Sequence, residues 1–132
     1  MHQHTVRPNF LVLGAMKSAT TTLCELLATH PQAFVCEPKE PEFFCKDEVY
    51  SRGWPWYQSL FRSALHKKAV GEGSTSYTKK LLFPRTASRI AAHVPDARLI
   101  YIVRHPIERI ESHWMHSLRA GSLPPTADFS AT

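Results

Sequence analysis

The stretch Phe10-Leu-Val-Leu-Gly-Ala-Met-Lys-Ser-Ala-Thr-Thr-Thr22 decides which fold the sequence predicts. An apolar run of strand length ends at Gly14, and leucines then recur at the spacing of one helical face. The loop between such a strand and helix directs unpaired backbone N–H groups at one point, and here a lysine and several hydroxyls stand beside them. The stretch therefore predicts a phosphate-binding turn. The alternative is an ordinary strand-to-helix turn with a solvated lysine.

This loop is not an ordinary nucleoside-triphosphate loop. The Walker pattern, G-x-x-x-x-G-K-[ST], needs a longer spacing and a second glycine. Only Ala15 and Met16 separate Gly14 from Lys17, and no glycine precedes the lysine. Because a shorter loop makes a smaller cradle, it favours a terminal 5′-phosphate over a triphosphate chain.

Composition and charge restrict the class of protein. The 132 residues, 43% of them hydrophobic, predict one domain over 1–132 with its own core. The formal net charge of +5 suits an anionic ligand, although it suits nucleic acid or a membrane surface as well. No apolar run approaches the ~20 residues of a membrane-spanning helix. We expect a disordered lead-in at 1–8, without a signal-peptide core, and a loop or tail at 120–132.

Cysteine and histidine usage argues against a disulfide framework or a metal site. The three cysteines are odd in number and form no Cys-x-x-Cys pair, which favours a reducing, cytoplasmic location. His113 and His116 stand three apart on a predicted helix, but no third ligand is evident. The sequence therefore predicts no metal.

A second candidate region is the acidic loop of residues 37–44, where two prolines predict extended backbone. It carries three carboxylates, followed by Phe43 and Phe44. A carboxylate beside these rings would be partly desolvated, which raises its pKa and suits it to general-base work. The alternative is a solvated acidic loop pinned by two core phenylalanines.

The middle of the chain predicts packing elements and one more loop. Helical stripes over 50–65 and 87–94 predict two packing helices. Between them, residues 69–77 predict a short strand that breaks into a glycine- and hydroxyl-rich loop. Gly71 and Gly73 would let this loop approach a ligand closely, although a plain turn fits equally well.

A second apolar strand and the helix after it complete the pattern. Leu99–Val103 is a near-continuous apolar run, typical of a parallel strand buried on both faces. Arg104 follows at its carboxyl end, where open α/β sheets bind ligands. Pro106 begins a helix, on which Ser112 lies eight residues past Arg104. An arginine fork and a serine hydroxyl can grip one phosphate. The alternative is an arginine that caps the strand and pairs with Glu108.

The order of these elements predicts the fold class. Strand-like and helix-like stretches alternate along the chain, with a further short strand at 33–35. Such alternation is typical of a three-layer α/β domain with a mainly parallel sheet. The turn at 14–22 makes the predicted domain P-loop-type.

Four segments resemble the family of sulfotransferases that use 3′-phosphoadenosine 5′-phosphosulfate (PAPS), in its bacterial and heparan-sulfate-type branch. Residues 13–22 resemble the 5′-phosphosulfate loop, and 39–44 resemble the acidic Phe-Phe motif. Residues 71–77 are similar to the Gly-Glu-x-Ser-x-x-Tyr motif, and 102–112 to the 3′-phosphate motif with its Arg-to-Ser spacing. All four occur in the family's order.

The resemblance implies a role for each matching residue. Lys17 would neutralise charge on the leaving phosphate oxygen, and Glu40 would take the acceptor's proton. Arg104 and Ser112 would hold the 3′-phosphate. The residues implied to bind the 5′-phosphate are Lys17, Ser18, Ala19, Thr20, Thr21 and Thr22. The resemblance implies PAPS as donor, 3′-phosphoadenosine 5′-phosphate (PAP) as product, no metal, and a small-molecule or glycan acceptor with a hydroxyl or amine.

Three positions and the length depart from the family pattern. Ala19 stands where glycine is usual, Gly73 stands where the heparan-type enzymes carry a lysine, and His105 replaces the commoner Asp or Asn. Family enzymes are also much longer, and their C-terminal half supplies another phosphate-binding loop and part of the acceptor pocket. We therefore expect the N-terminal part of a sulfotransferase, truncated at its C-terminus and weakly active or inactive by itself.

Two other classes of protein remain as alternatives. A small-molecule kinase would need a Walker loop and a magnesium-binding aspartate at a strand end, and neither is evident. A non-catalytic module for anions or nucleic acid would need a basic surface with aromatic stacking platforms. The basic residues here are spread along the chain without forming a block. The sequence therefore favours the sulfotransferase and predicts no nucleic-acid partner.

Overall fold

A computed structural model describes residues 6–15, 18–37, 39–122 and 124 of the chain. The strands in these ranges are β1 (Phe10–Gly14), β2 (Ala33–Val35), β3 (Ala69–Gly73) and β4 (Arg98–Tyr101). The α-helices are α1 (Thr20–Thr29), α2 (Asp47–Tyr50), α3 (Trp54–Ser59), α4 (Thr86–His93) and α5 (Pro106–Arg119). Short 3₁₀ turns occur at Arg62–Ala64 and Thr75–Thr78.

The strands form one sheet in the order β2-β3-β1-β4, and every neighbouring pair is parallel. β1 lies inside the sheet, with Phe10 opposite Gly71 of β3 on one side and opposite Arg98 of β4 on the other. The prediction of an α/β fold with a mainly parallel sheet is confirmed. Since parallel strands all end at the same edge, the loops that follow β1, β3 and β4 emerge side by side.

Other elements cover both faces of the sheet. Successive side chains of β1 point to opposite faces, so its apolar residues contact both layers. Phe10 and Val12 pack with Cys24 of α1 on one face. Leu11 points to the other face and belongs to a larger apolar cluster. The remaining buried members of that cluster are Cys36, Phe43, Phe44, Cys45, Tyr57, Phe61, Ala64, Val70, Tyr77, Ile90 and Val94. The domain therefore has three layers: α1, the sheet, and a layer of short helices and the acidic loop.

The predicted packing helix over 50–65 is divided into shorter pieces. Helix α3 ends at Ser59, and Phe61 has φ −110° and ψ 10°, outside the helical region. Tyr57 and Phe61 are fully buried, as the helical stripe predicts, but Leu65 is 55% exposed. The 3₁₀ turn tightens the chain after Phe61, and it ends the stripe before Leu65.

The prediction that the second apolar strand is buried on both faces is wrong. Leu99 and Tyr101 of β4 are 56% and 52% exposed, and Val103 beyond it is 78% exposed. In the described part of the chain, β4 is an edge strand that pairs with β1 alone. The apolar stripe of α5 is exposed as well, at Ile107 and Ile110. An apolar run in the sequence predicts a strand, but the strand is buried only where other elements cover its side chains.

The two ends of the chain fall mostly outside the described ranges. The predicted lead-in at 1–8 is described only at 6–8, and the predicted tail at 120–132 only at 120–122 and 124. Both expectations, and the single-domain interpretation of 1–132, stay predictions. Every helix in the described ranges is too short or too polar to cross a bilayer.

Candidate functional site

The end of the sheet brings two distant loops into contact. The backbone N–H of Ile102 donates to Gly14 O at 2.7 Å, and the N–H of Ala15 donates to Ile102 O at 2.9 Å. These bonds extend the pairing of β1 with β4 past the strand ends. The chain leaves β1 toward β2 on one side and reaches β4 on the other, so this point is the topological switch of the sheet. A ligand site is expected in the crevice here.

A cleft of about 520 Å³ lies at this position. Its lining residues are Ala19, Thr20, Thr21, Lys39, Glu40, Thr75, Arg104, Ser112 and His116. All four segments that the sequence analysis singled out contribute to this lining, and His116 lies four residues past the last of them. The structure therefore brings together six of the predicted site residues.

Two predicted residues, Ser18 and Thr22, do not line the cleft. A third, Lys17, lies outside the described residues. Ser18 is buried, at 2% exposure, and Thr22 belongs to the first turn of α1 without lining the cleft. Three lining residues were missed by the sequence analysis: Lys39, Thr75 and His116. A signal existed for His116, because it stands one helical turn after Ser112 and shares its face.

The start of α1 offers hydrogen-bond donors to the cleft. The first intrahelical bond runs from the N–H of Leu23 to Ala19 O at 3.0 Å, so the earlier N–H groups have no helical acceptor. Ala19, at the N-cap, has no side chain that caps them. The buried Ser18 Oγ has no hydrogen-bond partner among the described residues. An unsatisfied buried hydroxyl costs about 1–3 kcal/mol.

Ala19 adopts a backbone conformation that favours glycine. Its φ of 63° and ψ of 27° lie in the left-handed region. Side chains with a Cβ are strained there by about 1–2 kcal/mol. The departure from glycine noted in the sequence therefore has a structural cost at the start of α1.

The Ala19→Gly variant is expected to be more stable than the parent chain by about 0.5–1 kcal/mol, because glycine removes this strain. Ala28→Gly is the matched control, since Ala28 is exposed within the same helix and has ordinary helical backbone. The control should lose about 0.5–1 kcal/mol. Urea unfolding measures both free energies, and a loss of stability in both variants would contradict the strain at Ala19.

Glu40 lies in the cleft and is held by the loop after β3. The backbone N–H and the Oγ1 hydroxyl of Thr75 both donate to Glu40 Oε1 at 2.7 Å. Lys39 Nζ lies 4.0 Å from the same oxygen. Glu40 itself has φ 41°, and Glu42 in the same loop has φ 54°. Two non-glycine residues at positive φ mark a loop that its contacts hold in a strained conformation.

The pKa of Glu40 moves in the direction opposite to the prediction. Partial burial raises the pKa of Glu40, but the two hydrogen bonds from Thr75 and the charges of Lys39 and Lys79 outweigh it, so the pKa lies below its ordinary value. The expectation of a desolvated carboxylate with raised pKa is therefore wrong for Glu40. The group is ionised at neutral pH and accepts hydrogen bonds.

The carboxylate with the raised pKa is Glu72, which the sequence analysis did not select. Glu72 is fully buried in β3, and burial raises its pKa to about 7 against the hydrogen bonds it receives. Its Oε1 accepts from Tyr57 at 2.9 Å and from Tyr77 at 2.5 Å, and its Oε2 accepts from Ser74 at 2.7 Å. The signal was a carboxylate inside an apolar strand, flanked by two glycines.

The two glycines of β3 serve close packing. A Cβ on Gly71 would lie 2.3 Å from Phe10 O, and a Cβ on Gly73 would lie 2.8 Å from Cys24 Sγ. Both positions are filled by neighbouring parts of the chain. Gly71 and Gly73 were predicted to let the loop approach a ligand closely. Instead, they let β1, α1 and the acidic loop pack closely against β3.

Arg104 precedes α5 and Ser112 lies within it, and both face the same cleft. Both line the cleft, and Arg104 Nε lies 3.7 Å from Glu108 Oε2. The two alternatives for Arg104 are therefore compatible, because the residue pairs with Glu108 and faces the cleft.

The described residues contain no group of three or more His, Cys, Asp or Glu that could hold a metal.

Fold and cleft together define a class of protein: a parallel α/β domain with a polar cleft at the carboxyl edge of its sheet, lined by a helix start and an arginine. A helix start and an arginine occupy the same cleft, which suits a ligand with two anionic groups. The sulfotransferase domain family matches residues 7–131. The chain belongs to the sulfotransferase family.

Individual relatives agree with this assignment. Membrane-associated sulfotransferase kil1 of Dictyostelium discoideum is 36% identical over 115 residues, which are 85% of this chain and 23% of that protein. Heparan sulfate glucosamine 3-O-sulfotransferase 6 of Homo sapiens is 37% identical over 111 residues, or 84% of this chain and 31% of that protein.

A solved structure shares the fold. The crystal structure of a sulfotransferase from Alicyclobacillus acidocaldarius matches with a TM-score of 0.76 and 32% sequence identity. The match covers 96% of this chain and 55% of that one. The chain thus spans about half of the solved relative, and less than a third of the two curated relatives.

Proposed function

We propose that this chain is the donor-binding part of a sulfotransferase, which transfers a sulfuryl group from PAPS to a hydroxyl or amine of an acceptor. The observation that carries the proposal is the convergence of the α1 start, Glu40, Arg104 and Ser112 on one cleft. Each of these groups lies in a different loop or helix, and they meet only at the switch point of the sheet.

In this proposal the donor spans the cleft between two anion sites. The 5′-phosphosulfate lies at the start of α1, where the first backbone N–H groups have no helical acceptor, and Lys17 adds a charge. The 3′-phosphate lies against Arg104 and Ser112 on the α5 side. Two separate sites distinguish the bisphosphate from 5′-AMP, which fills only one.

The chemical step follows from the state of Glu40. The acceptor O–H or N–H gives its proton to Glu40, whose lowered pKa keeps it ionised before the step. The acceptor atom forms a bond to sulfur as the bond from sulfur to the 5′-phosphate oxygen breaks. The electron pair stays on that phosphate oxygen and yields PAP. Because Thr75 occupies Oε1, Oε2 is the oxygen that receives the proton.

A glycan acceptor is the class we favour. The human relative is named a heparan sulfate glucosamine 3-O-sulfotransferase, and the chain's positive formal charge of +5 suits an anionic polymer.

The cytoplasmic location favoured by the cysteine pattern stays a prediction. Cys24, Cys36 and Cys45 are all buried thiols, which is consistent with it.

Calorimetric titration with PAP, 5′-AMP and ATP-magnesium tests the donor site. The parent chain should bind PAP in preference to the other two. Lys17→Ala and Arg104→Ala should each weaken PAP binding by about 10- to 100-fold, the effect of losing a charged hydrogen-bond partner. Arg62→Ala is the control, because Arg62 is exposed and lies outside the cleft.

The competing functions give different results in the same titration. Selective binding of ATP-magnesium would support a small-molecule kinase in place of the sulfotransferase. Absence of PAP binding by the folded chain would contradict a donor site in this part of the protein. Tight but steeply salt-dependent binding of DNA or RNA, without PAP binding, would support the nucleic-acid module.

A further inference from the structure

Lys39 lies beside the proposed general base and faces the cleft. Its Nζ is 4.0 Å from Glu40 Oε1, and its side chain is 27% exposed. That distance exceeds a hydrogen bond, so the attraction between the two groups is electrostatic. A surface ion pair of this kind adds little stability, typically below about 1 kcal/mol. The ion pair with Glu40 therefore does not explain the position of Lys39 through fold stability.

Gly73 makes room for the Lys39 side chain. A Cβ on Gly73 would lie 3.7 Å from Lys39 Cε, in van der Waals contact with it. The stem of Lys39 therefore passes over the bare backbone at the end of β3, and larger side chains at 73 would reach into its path. Packing against the end of the sheet directs the ammonium toward Glu40 and the cleft.

The position of Glu40 limits where the transferred group lies. A general base works within about 3 Å of the proton it takes, and the attacking atom lies about 3–3.5 Å from the reacting centre. The sulfonate must therefore sit a few ångströms from the Glu40 carboxylate. Lys39 Nζ, 4.0 Å from that carboxylate, is within reach of the sulfonate oxygens.

The charges of Glu40 and of the donor explain why a cation is useful at this position. An ionised Glu40 and an anionic sulfonate repel each other, and the repulsion grows in a cleft that excludes water. A cation between them offsets it, both in the bound donor and as negative charge shifts during transfer. Among the described lining residues, Lys39 is the lysine placed to do so.

Resting on the proposed function, we propose that the Lys39 ammonium contacts the sulfonate of PAPS and is a catalytic residue of the transfer. It donates hydrogen bonds to sulfonate oxygens and gives up no proton. The proton of the acceptor still goes to Glu40, and the electron pair of the broken bond still stays on the 5′-phosphate oxygen. Lys39 therefore acts on the sulfonate end of the donor and leaves binding of the nucleotide end unchanged.

PAPS and PAP make this inference measurable, because they differ by the sulfonate. Calorimetry should find that the parent chain binds PAPS more tightly than PAP. Lys39→Met keeps the stem without its charge, and it should reduce this preference about tenfold or more while PAP affinity stays within about twofold. Lys39→Arg should retain most of the preference. Lys80→Met is the matched control, since Lys80 is exposed and does not line the cleft.

Each outcome of this experiment is decisive. A parent chain that binds no PAP overturns the proposed donor site and the role of Lys39 with it. PAP binding with no preference for PAPS, or with a preference that Lys39→Met leaves intact, overturns the role of Lys39 alone. Equal weakening of PAP and PAPS by Lys39→Met also overturns it, because the lysine would then act on the nucleotide end.

Discussion

The Gly71→Ala variant is expected to lose at least about 3 kcal/mol of its free energy of unfolding, a large part of the stability of an ordinary domain. A Cβ at this position would lie 2.3 Å from the carbonyl oxygen of Phe10 and 2.6 Å from its ring carbon Cδ2. Phe10 lies opposite Gly71 in the pairing of β1 with β3. Because the nearest atom is backbone, the overlap is relieved only by separating two strands of the sheet.

Gly121→Ala separates this steric effect from backbone strain. Gly121 has φ +73°, but a Cβ there meets no described atom within 4 Å. We expect a cost of about 1 kcal/mol, from the left-handed backbone alone. Urea unfolding followed by circular dichroism measures both variants. Similar small losses in the two would contradict the close contact assigned to Gly71.

Stability is also expected to fall by about 3 kcal/mol as the pH rises from 4.5 to about 7, because Glu72 must ionise inside the core. Burial raises the pKa of this carboxyl from 4.5 to about 7. Between these values the folded chain holds a proton that the unfolded chain has released. The contribution is therefore complete below pH 4.5, and it is lost as the pH passes through the folded pKa.

Other groups titrate near this window with the opposite sign. Hydrogen bonds from Thr75 help to hold the pKa of Glu40 below its ordinary value, and burial lowers the pKa of His93. Each of these groups stabilises the fold at higher pH, so the total profile mixes the contributions. The burial that raises the pKa values of Tyr57 and Tyr77 keeps both phenols neutral throughout.

Glu72→Gln isolates the contribution of the buried carboxyl. Glutamine has a similar shape and does not ionise, so the difference in unfolding free energy between parent and variant should change by about 3 kcal/mol across the window. Urea unfolding at a series of pH values from 4.5 to 8 gives this difference. A difference that stays constant with pH would contradict a titrating Glu72.

Glu72 also connects the core to the loop of the proposed base. Ser74, which donates to Glu72, accepts the backbone N–H of Glu42 at 3.1 Å. Tyr77, which also donates to Glu72, accepts the N–H of Phe44 at 3.5 Å. The acidic loop is thus tied to β3 through one buried carboxyl.

Most of the fold could be predicted because its signals are local. The run that ends at Gly14 and the leucine spacing after it depend only on residues a few positions apart, and both elements form where expected. The burial of β4 could not be predicted in this way. Its exposure depends on the strand order, and that order is settled by contacts between distant parts of the chain.

The candidate site was predicted in part for the same reason. The motifs located Thr20, Arg104 and Ser112, and the structure places them on one cleft. The pKa shift of Glu40 was predicted in the wrong direction, because the sequence shows Phe43 and Phe44 close by, while the donor that lowers its pKa is Thr75, 35 residues away.

The amino-acid sequence was sufficient for the order of the main elements, for the family, and for most of the residues that line the cleft. Periodicity, spacing and motif order are relations between positions along the chain, so all three are visible in the sequence. The tertiary structure decided that Lys39 passes over Gly73, that Thr75 holds Glu40, and that two tyrosines enclose a buried carboxyl. Contact and pKa depend on distances through space, and the packing of distant segments sets those distances.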